Sequence, residues 1–240
     1  MPECLFCERP AGSKEHVFPQ WILKRKKMRF SKLELWKRPG IIYRGEQFTT
    51  RMVCGTCNNG WMADLESEAI PVLSPMFDGK HVQLSEDQQR LLSVWVTKMA
   101  LIQESTKGRG AVQRFYTNEE TRRFRTDRLI PAITKIWIGR IDIADRRNIG
   151  ATEIKRASQN GYDEIRATTL FNEHFVSQIV TQRSKNGIEI GPKPGDWEYV
   201  LMSVWPIQSP VVLWPPPHSF TKDGSTVVGY LGGRWLLGEN

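Results

Sequence analysis

Apolar positions along the chain recur with two periods, and each period marks a kind of element. In "NNGWMADLESEAIPVL" Trp61, Leu65 and Ala69 stand at steps of four, the spacing of one helix face. Pro71 is expected to end that helix, because its ring removes a donor and crowds the preceding turn. "QQRLLSVWVTKMALIQES" repeats the pattern, with Leu91, Leu92, Trp95, Met99 and Ile102 on one apolar face. Ser85 followed by Gln88 supplies the capping box that starts it. A second box, Thr117 with Glu120, opens "NEETRRFRTDRL", whose face is heavily basic. Elsewhere short β-rich runs dominate: "SKEHVF" and "FTTRMV" early, then "ITKIWIGRI", "EIRATTL", "HFVSQIVTQ", "WEYVLMSVW", "PVVLW" and "STVVGYL" between Gly, Pro and Asn turns.

The order of elements predicts an α+β fold in two parts. Residues 1–78 run as cysteine knuckle, strand, basic insert, strand, cysteine knuckle, helix. Pro19 stops the first strand, "WILKRKK" reads as a short helix, and "KLELW" and "GIIYRG" flank a "KRPG" turn as a hairpin. The turn-rich "SPMFDGK" then leads into residues 79–240, a larger α+β domain with two leading helices and a mostly antiparallel sheet.

The four cysteines decide the character of the first part. They stand as Cys4-x-x-Cys7 and Cys54-x-x-Cys57 in a chain of 240 residues. The N-terminus lacks a secretory leader and no run of about 18 apolar residues occurs, so the expectation is a soluble, cytoplasmic protein without membrane contact. In a reducing compartment, two CxxC pairs point to a tetrathiolate zinc site rather than to disulfides.

Charge adds a partner. The formal net charge is +8, and the excess is concentrated between the two cysteine pairs, in Lys24, Arg25, Lys26, Lys27, Arg29, Lys37, Arg38 and Arg51 among others. Such a run is either a solvated face or a surface for an anionic polymer such as nucleic acid.

A zinc ion joining the two pairs brings the strand bearing Glu15-His16 near "CNNGW". A carboxylate and a side-chain amide suit magnesium or manganese, and a neutral imidazole alongside can take a proton from water. Beside a basic surface, the chemistry that fits is metal-assisted phosphodiester hydrolysis.

"CLFC", "EHVFP" and "CGTCNNGW" together resemble the HNH endonucleases with a ββα-metal site, in the subgroup framed by a zinc tetrathiolate that includes phage junction resolvases. The resemblance covers about the first 70 residues. It implies His16 as general base, Glu15 and Asn58 as ligands of a catalytic Mg²⁺ or Mn²⁺, structural Zn²⁺ on the four cysteines, and nucleic acid, DNA first, as substrate. His16 must be neutral to act, so activity is expected to fall at acid pH. Two positions depart from the family pattern. Thr49 and Thr50 stand where a middle Asn or His is usual, and Trp61 stands where a lysine is common.

A plainer reading accompanies each assignment. A Glu-His pair is common on a strand surface, and the second one here, Glu173-His174, has no cysteine pair nearby and reads as structural. Asn58 and Asn59 suit a helix start as such. Trp21, Trp36 and Trp61 suit the core of a small module. The alternatives to a nuclease are a non-catalytic zinc-finger-like DNA-binding protein derived from an HNH scaffold, and a structural zinc module. The second domain is left with substrate selection, homodimer formation or response to a ligand.

Overall fold

The computed structural model of the chain describes residues 2–25, 49–106, 114–142, 149–157, 164–183 and 200–220, with 149–157 as backbone. The hairpin expected from "KLELW" and "GIIYRG", the strand "STVVGYL" and the basic residues Lys26, Lys27, Arg29, Lys37 and Arg38 lie outside them. The described elements mix helices with antiparallel sheet, the α+β class expected. No helix among them is long and apolar enough to cross a membrane.

The residues group into two units, Met1–Ile70 with Thr97–Ile130, and Pro71–Val96 with Pro131–Asn240. The divisions fall inside two helices, so each unit is assembled from separated stretches of chain, and the turn after Phe77 lies within the second unit.

In the first unit β1 (Ser13–His16) pairs antiparallel with β2 (Thr49–Val53), placing Glu15 opposite Thr50 and His16 opposite Thr49. β1 ends two residues sooner than "SKEHVF" allows, and Val17, Phe18 and Pro19 are buried. The short helix α1 (Gln20–Arg25) follows at once. After β2, the three-residue α2 (Gly55–Cys57) is capped by its own preceding cysteine, and a wider π-type turn over Asn58–Met62 contains Gly60 at φ −101°, ψ −118°. α3 (Ala63–Phe77) then continues to Phe77, so Pro71 does not end it. The reason lies in packing. Val72, Leu73, Met76 and Phe77 are buried, while Pro71 is on the exposed face, where water can take up a freed carbonyl.

The second unit opens with the end of α3. Gly79 (φ 76°) sits beyond its terminus, with Gly79 N–H donating to the Met76 carbonyl at 3.0 Å and Lys80 N–H to Pro75 at 2.9 Å, a Schellman motif. β3 (Val82–Ser85), to which the local pattern assigns no element, pairs with β9 (Val211–Trp214). α4 (Glu86–Ser105) starts at the expected capping box, with Ser85 N–H on Gln88 Oε1 at 3.0 Å and Gln88 N–H on Ser85 Oγ at 3.3 Å. From Leu92 to Ile102 every side chain is buried, so the expected single apolar face is in fact a helix enclosed all round.

The main sheet has the order β5-β6-β7-β4-β8, from β4 (Thr134–Arg140), β5 (Ile149–Ala157), β6 (Glu164–Asn172), β7 (Phe175–Arg183) and β8 (Leu201–Trp205). All its pairings are antiparallel. Trp137, Ile141, Ala167, Val176, Val180 and Leu201 form its apolar cluster. Glu173-His174 is the tight turn between β6 and β7, and both side chains are buried. His174 Nδ1 meets the Ile141 carbonyl at 3.2 Å and Asp142 Oδ1 at 3.0 Å, a structural role in keeping with its reading from sequence.

Candidate metal centre

Two loops present the cysteines to one point. The turn after Pro2 is tied to β2 by Leu5 N–H on the Met52 carbonyl at 2.7 Å and closed on itself by Cys4 N–H on Arg9 at 2.8 Å. Cys54 and Cys57 lie at the end of β2 and in α2. The four Sγ atoms lie within 4.8 Å of one another and all four residues are buried. Cys7 Sγ is 3.6 Å from Cys54 Sγ and 3.7 Å from Cys57 Sγ. A tetrahedron of about 2.3 Å zinc–sulfur bonds has edges of about 3.8 Å, so the spacing fits the ion.

Backbone donors favour thiolates here. Cys54 N–H points at Cys4 Sγ (3.2 Å), Phe6 N–H at the same sulfur (3.5 Å) and Cys57 N–H at Cys54 Sγ (3.4 Å). Burial pushes the Cys4 and Cys57 thiols up. Burial also opposes ionisation of Cys54, yet the Cys57 N–H and the neighbouring thiols bring it down to about 7. Four sulfurs so crowded cannot all ionise alone, and a dication at their centre supplies the charge they need. The cysteines can therefore hold a metal ion such as zinc, in a closed, four-ligand site.

The fold draws Asn58 onto β1. Its Nδ2 donates to Ser13 Oγ at 2.9 Å and to the Lys14 carbonyl at 3.4 Å, while its Oδ1 accepts no hydrogen bond among the described residues. This amide ties the helix start to the strand. Thr50 is buried against Ser105, whose hydroxyl donates to Thr50 Oγ1 at 3.1 Å.

Glu15 and His16 behave differently from one another. His16 is half-buried, with Nδ1 3.5 Å from Gln20 Nε2. Glu15 is buried at 7% exposure and faces Lys98, whose ammonium is 3.8 Å from Glu15 Oε1 and hydrogen-bonded to Glu66. Burial pushes the Glu15 carboxyl up to about 7, against the pull of Lys98, and the charge of Glu66 adds to the rise. No motif or spacing singles out Lys98 or Glu66. The signal for Lys98 was a lone cation inside the apolar run "SVWVTKMALI", which a buried helix tolerates only with counter-charges close by.

The remaining assignments separate. Arg51 is exposed and donates to the Gly12 carbonyl at 3.2 Å, Lys24 is exposed, and Arg25 is half-buried at the end of α1. Trp61, half-buried, packs edge-on against Phe6 at 4.9 Å and against Phe124 at 5.9 Å, so its ring is engaged in packing. Phe124 comes from α5 (Asn118–Asp127), which begins at the expected Thr117–Glu120 capping box. Arg122 of the same helix pairs with Glu3 and Glu8, and Arg128 lies over the Trp61 ring.

No protein-family model, curated protein or solved structure matches this chain.

Proposed function

We propose that the strand pair and helix start framed by the four cysteines form an HNH-type endonuclease site, which hydrolyses phosphodiester bonds of nucleic acid and of DNA first. The observation that carries this is Asn58. Its amide hydrogens hold β1 beside Glu15-His16, and its carbonyl oxygen is left to ligate a metal ion.

The chemistry of the donor set fits a divalent ion. Glu15 and Asn58 offer hard oxygens. Glu15 and Asn58 would hold Mg²⁺ or Mn²⁺, which when bound supplies positive charge to the scissile phosphate and its leaving oxygen.

His16 takes the proton from the attacking water through Nε2. For that, Nδ1 must carry the other proton, and Gln20, whose Nε2 stands 3.5 Å from Nδ1, would have to turn its amide to present the oxygen to that N–H. Lys24, Arg25, Arg51 and the basic segment between the cysteine pairs attract the polyanion. Trp61 is engaged in packing against Phe6 and Phe124, so that segment carries the phosphate contact for which the resemblance expects a lysine.

A second reading has one observation in its favour. Glu15 paired with Lys98 suits a non-catalytic nucleic-acid-binding module. Nicking of supercoiled plasmid in Mg²⁺ separates the two. We expect His16→Ala to lose at least about 100-fold in nicking rate while keeping its zinc content. Undiminished nicking would remove His16 from its role, and salt-dependent DNA binding without nicking in any divalent ion would favour the second reading.

A further inference from the structure

Three charged groups from three elements meet inside the first unit: Glu15 on β1, Glu66 on α3 and Lys98 on α4. They are not equivalent. Lys98 is hydrogen-bonded to Glu66, whereas its 3.8 Å separation from Glu15 is beyond hydrogen-bond reach. Lys98 is fully buried, so its ammonium depends on these carboxylates for compensation. With all three groups ionised the cluster carries one net negative charge. Glu66 takes the hydrogen bond, and Glu15 keeps only the longer ion pair.

We propose that Glu66 is a positioning residue that holds Lys98 off Glu15 and so leaves the Glu15 carboxylate to receive a divalent cation. The inference rests on the nuclease reading. Glu66 does not touch the ion; it acts through Lys98. Without the Glu66 charge, Lys98 turns to its only other carboxylate among those it meets here and competes with the cation for Glu15. Without Lys98 the competitor is gone, and the charge of Glu66 becomes dispensable.

The test is a double-mutant cycle on Mn²⁺ affinity, read from the free-ion paramagnetic resonance signal of the zinc-loaded full chain at fixed pH. Glu66→Gln should weaken Mn²⁺ binding by about tenfold or more. The double variant Glu66→Gln with Lys98→Met should return to within about threefold of wild type. Glu66→Asp, which keeps the charge, should stay close to wild type. If Lys98→Met does not fold, Lys98→Gln takes its place in the cycle.

Unchanged affinity in Glu66→Gln overturns the proposal. Weakened affinity that the double variant does not restore overturns it as well, because Glu66 would then be a ligand itself. Plasmid nicking is read in the same samples. Nicking by wild type without these affinity changes defeats this inference alone; neither nicking nor Mn²⁺ binding by wild type defeats the nuclease reading with it.

Discussion

Glu15 shows how one side chain can be recognised by type and misjudged by surroundings. Its place beside His16 and after a cysteine pair was legible in the sequence, but its partner, Lys98, is 83 positions away along the chain and only folding brings it there. The burial has a consequence for stability. The carboxyl titrates near 7 in the folded chain against 4.5 in its ordinary state. Between those values the folded chain keeps a proton that the unfolded chain has released, so the contribution of protonated Glu15 is complete below 4.5 and lost as pH rises through about 7. Glu15→Gln, neutral at every pH, should match wild type in urea unfolding near pH 4.5 and exceed it at pH 8 by up to about 3 kcal/mol, with no divalent ion added. Parallel pH profiles for the two proteins would contradict the assignment.

At the scale of elements, local signals located starts better than ends. Both capping boxes appear where Ser85 and Thr117 announce them, since a side chain bonded to an amide three residues on is a purely local event. Pro71 misled because burial of Val72, Leu73, Met76 and Phe77 outweighs the carbonyl it orphans on an exposed face. The expected strands at "EIRATTL", "HFVSQIVTQ" and "PVVLW" are present, while β3 and β5 were missed. β3 has four residues and pairs with distant β9, a partner no local period reveals. α3 stops before Gly79 for a testable reason. Its φ of 76° suits glycine, and a Cβ there would come within 2.9 Å of His174 Cδ2. Gly79→Ala should therefore cost about 2 kcal/mol in denaturant unfolding, from backbone strain and overpacking together. A loss below a few tenths would show that His174 gives way freely.

At the scale of the molecule, the zinc-type frame was legible because four cysteines in two CxxC pairs allow few other arrangements, and the structure gathers all four. The composition of the unit around it was not. A module of about 70 residues has little core of its own, and here Thr97–Ile130 completes it, bringing Phe124 against Phe6 and Trp61 and Lys98 against Glu15. Proximity of that kind is set by tertiary packing, which neither spacing nor charge count encodes. The most direct test of the nuclease site is anomalous diffraction from crystals of the zinc-loaded wild type soaked in Mn²⁺. The account predicts two metal peaks, zinc within the four thiolates and manganese on the Glu15 carboxylate and Asn58 carbonyl beside His16. A zinc peak alone, with Glu15 still facing Lys98, would contradict it.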